Sequence, residues 1–246
     1  MSNPMFSVIC ATLLRGSYPR LVSSVRRQGV HDWEFIARAD PGNEYIARNR
    51  AAKQARGEWL VFVDDDSVLR SDHLSRLSRD IRGAPETVAV TGPLQGNMWG
   101  SGTVLVDQPG WWIGANMAVR REVFLERPFE EDWGLGRIPR GWRADTDLGW
   151  SIEDRYPGRY LHDHELIVDH PGQMGSVWQP DVEDVFVRRW KARVMKRFLA
   201  VDPRLQQFLL QTQDLTADER AKVISARAVS RRSIPGLPVL EAERTA

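Results

Sequence analysis

The stretch Trp59-Leu-Val-Phe-Val63 runs without interruption into Asp64-Asp65-Asp66. Such a continuous apolar run suits a strand covered on both faces, as in the middle of a parallel sheet. Three carboxylates at the end of that strand repel one another and resist desolvation. A divalent ion relieves both costs, and carboxylates two residues apart at a strand end can both reach one hard cation. Ligands in α/β sheets also bind just beyond the carboxyl ends of strands, where this run falls. The alternative is a solvated loop leading to a helix capped by Ser71.

Strand and helix patterns alternate around this run, which predicts an α/β fold with a parallel sheet and right-handed crossovers. Phe6 to Thr12 reads as a first strand, and Ser17-Tyr-Pro19 opens a helix to about Gln28. Glu34 to Ala39 is a second strand ending at the Asp40-Pro-Gly turn. Asn43 caps a helix from about Glu44 to Ala55 that Gly57 ends. After the acids come a helix from Ser71 to about Arg82 and a strand around Thr87 to Thr91. Gly92 to Ile113, rich in glycine and tryptophan, shows no clear period. Beyond it the pattern predicts a short helix (Arg120 to Leu125), a long loop (Pro128 to Arg143), a helix (Asp145 to Asp154) and a strand (Leu166 to Asp169). Helices from Asp181 to about Ala200 and from Ala217 to Ser230 follow, and a disordered tail from Ile234.

Composition narrows the function. Apolar residues make up 42%, ample for a core, and a net charge of +1 gives no case for nucleic-acid binding. The single Cys10 lies in an apolar run, as a core residue in a reducing compartment does. Without a bilayer-length apolar run or a secretory start, the expected location is cytoplasmic, at most peripheral to the membrane. Ten tryptophans are unusual, and Trp99, Trp111, Trp112, Trp133 and Trp142 fall in expected loops, where they either wall a cleft or pack beneath it. Phe186, Trp190, Val194 and Phe198 form one helical stripe amid the basic residues of Arg188 to Arg197. That helix either lies on anionic lipid or docks its stripe on the core.

The order of the motifs is more specific than any one of them. Thr12 ends the first strand, Asp40 the second, and Ala47-Arg48-Asn49-Arg50 precedes the acidic strand end. Gly114-Ala-Asn116, Arg143-Ala-Asp145-Thr-Asp147 and Val168-Asp-His170-Pro171 come later. From Phe6 to Pro171 this series resembles the family-2 glycosyltransferases. The resemblance implies a GT-A fold, with a Rossmann-like, mostly parallel central sheet flanked by helices and a helical C-terminal extension. It divides the chain into a catalytic domain over 1–175, with a nucleotide-sugar half (about 1–92) and an acceptor half (93–175), an extension over 176–232 and a tail over 233–246.

The resemblance also implies roles. Asp66 contacts the metal most directly, Asp64 the ribose or the metal, and Asp65 is the spacer within the donor site. His170 supplies a further ligand, and the cofactor is Mn2+ or Mg2+. Asp40 accepts a hydrogen bond from uracil, so a UDP-sugar is the favoured donor; Thr12 lines the nucleotide pocket and Arg48 the base or phosphates. Asn116 and Trp112 stand near donor sugar and acceptor. Asp145 is the base that deprotonates an acceptor hydroxyl in an inverting transfer, with Ala144 replacing the first acid of a usual Glu-Asp pair and Asp147 a structural acid. Taken residue by residue, Asp40 also fits a turn, His170 a histidine before proline, and Asp145 a first-turn helix acid. A retaining transferase, a nucleotidyltransferase or an inactive binding subunit on the same fold are the other readings.

Overall fold

The computed structural model describes residues 3–40, 43–98, 103–131, 143–174, 180–199, 203–211 and 215–233. Trp99, Trp133 and Trp142, the expected loop over 132–142 and the expected tail from Ile234 lie outside the described residues.

Burial on both faces builds the centre. β1 (Phe6–Ala11) lies parallel between β2 (Trp33–Arg38) and β3 (Trp59–Asp64), with Cys10 in register with Ala37 and Val63. Phe6, Val8 and Cys10 of β1 and Trp59, Val61 and Val63 of β3 share one face. There they pack with Leu21 and Val25 of α1 (Tyr18–Arg26) and Leu74, Leu77 and Ile81 of α3 (His73–Gly83). On the opposite face Phe62 meets Phe124 of α4 (Arg121–Glu126) at 4.9 Å between ring centroids and Phe129 at 5.1 Å. Tyr45 of α2 (Glu44–Gln54) joins Phe129 at 5.2 Å. Each such buried ring contributes about 1.5–3 kcal/mol, so both helical layers are held to the sheet by its middle strands.

The central sheet has the order β2-β1-β3-β8-β5-β9, which completes the expected α/β architecture. β8 (Met117–Arg120) is inserted antiparallel between β3 and β5 (Ala89–Thr91), while β5 is parallel to β9 (Tyr160–His162). The sheet is therefore mostly parallel, as expected, with β8 as its one antiparallel strand. A second sheet, ordered β4-β10-β6-β7, contains β4 (Val68–Leu69), β6 (Leu94–Met98), β7 (Thr103–Val106) and β10 (Val168–Met174).

Several boundaries differ from the sequence pattern for local reasons. Asn43 does cap α2, its Oδ1 accepting from the amides of Tyr45 and Ile46 at 2.9 and 3.1 Å. Gly57, however, does not end that helix, which stops at Gln54 with Ala55 extended. Its role is close approach: a Cβ there would stand 2.5 Å from the backbone nitrogen of Ser7, whose Oγ accepts the Gly57 N–H at 2.8 Å. Ser71 does not cap α3; the position before the helix is Asp72, without a side-chain cap bond. α5 (Ala144–Arg155) begins at Ala144, after Arg143 in the left-handed region at φ 70°.

Trp178–Ala246 forms a separate compact unit, whose described elements are α6 (Pro180–Arg197), α7 (Pro203–Gln211) and α8 (Ala217–Ser233). Phe186, Val194 and Phe198 of the aromatic stripe are buried, and the Phe186 and Phe198 rings stack at 6.2 Å. The stripe is broken at Trp190, where non-helical φ/ψ kinks α6 and the ring lies under the guanidiniums of Arg189 and Arg193. Among the described residues no helix is long and apolar enough to cross a membrane.

Folding traps one titratable ring. His73 is buried at the start of α3 with no partner for its Nδ1. Burial disfavours the imidazolium and holds its pKa down at about 4, against partial opposition from Asp72 and Asp163. The unfolded chain takes up this proton near pH 6.5 and the folded chain only near 4, so its contribution is whole above 6.5 and is lost as pH falls between them. The loss amounts to about 3 kcal/mol. Urea denaturation across this range should show His73→Gln flattening the acid limb of the stability curve; an unchanged slope would exclude this assignment.

Candidate active site

The carboxyl ends of β1 and β3 lie side by side, and the three acids go three separate ways from there. Asp65, only 4% exposed, turns back toward β1. Its Oδ2 accepts from Thr12 Oγ1 and from the Leu13 amide, both at 3.1 Å, and Thr12 Oγ1 in turn accepts the Leu14 amide at 2.8 Å. This fastens a loop in which Leu14 has a left-handed φ of 56°. Asp65 is thus a structural tether and not a passive spacer, and Thr12 is its partner. Arg15, which the sequence reading did not single out, places Nη1 3.5 Å from Asp65 and 3.8 Å from Asp66. Its only signal is being the cation nearest the end of the first strand.

Asp64 and Asp66 face His170. β10 pairs antiparallel with β4, Asp169 opposite Val68, which sets His170 beside the acidic turn. Just beyond it the β10–β6 register slips between His170 and Gln173, an irregularity that includes Pro171, which has no amide hydrogen to donate. His170 Nε2 lies 3.0 Å from Asp66 Oδ1 and 3.4 Å from Asp64 Oδ2. Burial works against charge on this ring, but hydrogen bonds to Asp64 and Asp66 push its pKa up to about 10. Ligand atoms of the three residues all lie within 4.8 Å of one another. Two carboxylates and an imidazole converging at a strand end make a suitable donor set for a divalent ion, so the residues fit the cofactor.

Arg48 joins this trio to Asp145. Its side chain enters from α2, 3% exposed, and pairs with Asp64 Oδ1. Burial opposes ionisation of Asp64, but the Arg48 guanidinium and then His170 outweigh it and hold the carboxyl down at about 2. Arg48 also lies against Gly114, where a Cβ would stand 2.5 Å from Nη1. The Gly114 amide donates to Asp145 Oδ2 at 2.9 Å, and the Thr146 amide to Oδ1 at 2.8 Å. Burial raises the pKa of Asp145, partly offset by those two amides, Arg48 and Arg143. Glu44, 4.0 Å from Arg48, is raised to about 7 by burial against the pull of Arg48 and is a second acid missed in the sequence.

Other expected site residues have different surroundings. Asp40 pairs with Arg50. Asn116 is buried, with both amide hydrogens committed to the carbonyls of Pro93 (2.9 Å) and Leu166 (2.6 Å). Trp112 is core: its Nε1 donates to Glu153 at 2.9 Å, and its ring meets Tyr160 edge-on. Ala144 is fully buried, so a side chain there faces packing and not a cleft. Asp147 is buried beside Arg127, as a structural acid should be. Asn43, capping α2, and Asn49 within it grip the chain near Glu131: Asn43 Nδ2 donates to the Glu131 carbonyl, and Asn49 Nδ2 to the Phe129 carbonyl and the Glu131 carboxylate, each at 2.9 Å.

Removing one partner of a buried ion pair strands the other charge. Arg48→Met is expected to cost about 3 kcal/mol in urea denaturation. Adding Asp64→Asn should then cost much less than it does alone, a coupling of roughly 1 kcal/mol or more. Strictly additive losses would show that the pair is not coupled.

Residues 19–134 match the family model described as Glycosyl transferase family 2. No curated protein sequence matches the chain. Among solved structures, it is similar to S. aureus TarS 1-349 in complex with UDP-GlcNAc (16% identity, TM-score 0.56), covering 99% of this chain and 78% of that one. It is similar to the mannosyltransferase PcManGT from Pyrobaculum calidifontis in complex with GDP-Man and Mn2+ (12% identity, TM-score 0.55), over 99% and 78%. GalNAc-T7 with UDP, GalNAc and Mn2+ is similar over 96% of this chain and 59% of its own (14% identity, TM-score 0.58). Over residues 19–134 the chain thus resembles glycosyltransferase family 2, and it shares the GT-A fold of these glycosyltransferases.

Proposed function

We propose that the protein is a metal-dependent, inverting glycosyltransferase that moves a sugar from a nucleoside diphosphate sugar, a UDP-sugar by preference, to a hydroxyl acceptor. The observation that carries this reading is the convergence of Asp64, Asp66 and His170 at the carboxyl end of β3, with Asp145 linked to them through Arg48 and Gly114. Solved relatives that hold UDP-GlcNAc, or GDP-Man with Mn2+, support the donor class.

Asp64, Asp66 and His170 would hold the ion, and the imidazole tilts the preference from magnesium toward manganese. When bound, it supplies Lewis-acid neutralisation of the leaving pyrophosphate. His170 must give up its proton to become a ligand. Arg48 keeps Asp64 ionised and fixes its direction. Asp145 receives the acceptor proton: the two amide bonds orient its carboxylate, each oxygen keeps a free lone pair, and burial raises its basicity.

Calorimetry and product assays separate these roles. Asp66→Asn should abolish Mn2+-dependent donor binding. Asp145→Asn should bind donor normally and lose transfer by about 100-fold or more. Normal transfer by Asp145→Asn would remove the base assignment. The whole reading fails if a broad panel of nucleotide sugars with Mn2+ or Mg2+ shows neither binding nor turnover.

A further inference from the structure

The fold assembles a second group of metal-ligating side chains elsewhere. Asp107 follows β7, at the edge of the second sheet, whereas His162 ends β9, at the edge of the central sheet. His164 lies in the turn after β9. His162 Nε2 is 2.6 Å from Asp107 Oδ1, and His164 Nδ1 is 2.8 Å from Asp107 Oδ2. The two rings stand 4.9 Å apart at 76°, and donor atoms of all three residues lie within 4.8 Å of one another.

We infer that Asp107, His162 and His164 form a second divalent-metal site, suited to zinc, which clamps the segment after β7 to the edge of the central sheet. Two imidazole nitrogens and one carboxylate match zinc, with a fourth position for water, better than they match the all-oxygen shell of magnesium. Tetrahedral zinc with bonds of about 2.0 Å sets its ligands roughly 3.3 Å apart. The present contacts need to open by only about 0.5–0.7 Å to reach that. His162 is fixed by the sheet, with its side chain 11% exposed, and His164, 64% exposed, can adjust to complete the set.

β9 stands three places from β3, about 14 Å at the usual strand spacing, so one ion cannot serve both groups. Asp107 leads to Trp112 and Gly114, so a clamp here steadies the segment whose amide orients Asp145. The inference stands whether or not the first site transfers sugar.

Zinc binding to the chelator-stripped full chain tests it, without any nucleotide sugar. Stoichiometry by atomic emission, affinity by calorimetry and the zinc-dependent rise in Tm are compared for the wild type, Asp66→Asn, His164→Ala and Asp107→Asn. Asp66→Asn should keep the zinc equivalent and its Tm rise. His164→Ala and Asp107→Asn should each lose that equivalent, with affinity falling more than about 100-fold, since changes behind a ligand alone cost 10–100-fold. Because His164 is exposed, its alanine variant answers even if Asp107→Asn fails to fold. Undiminished zinc binding by His164→Ala, or no zinc response in Asp66→Asn, would overturn the proposal.

Discussion

A guanidinium removed from water persists only beside an anion, and Arg48 occupies such a position in the middle of α2. Its partner Asp64 therefore cannot swing into solvent, and its second oxygen is left directed at His170. The same guanidinium crowds position 114, so that a larger residue there would have to displace it, and the Gly114 amide reaches Asp145. Through one buried pair, a helix on one face of the sheet sets the positions of a metal-type cluster and of a carboxylate on a different helix.

The run of three acids is tolerated because each acid has its own neutralising partner. Asp64 has Arg48, Asp66 has His170, and Asp65 has two donors from the end of β1 with Arg15 nearby. Repulsion within the run is thus spent on separating the three side chains. The middle acid, turned away from the other two, holds the strained loop at Leu14 in place.

Much of this was legible in the sequence wherever a long local pattern existed. The unbroken apolar run of β3, the Asn43 cap and the succession of motifs led to the α/β layers, the helical extension, and the grouping of Asp64, Asp66 and His170. β4, β8 and β9 have two to four residues each, too few for any period to show. The antiparallel insertion of β8 followed from no local signal. Tryptophan and asparagine misled for another reason: Trp112 and Asn116 find their partners 41 and 50 residues along the chain, in Glu153 and Leu166, and so serve packing. Glu44 and Arg15 matter through neighbours that only the folded chain supplies.

The grip of Asn43 and Asn49 on the chain at Phe129 and Glu131 has an evolutionary consequence. Asn49 stands one residue after Arg48 on α2, so one helix carries both the anchor at Phe129 and the buried partner of Asp64. A sequence change that shifts α2 therefore moves both attachments at once, and neither can be altered independently of the other.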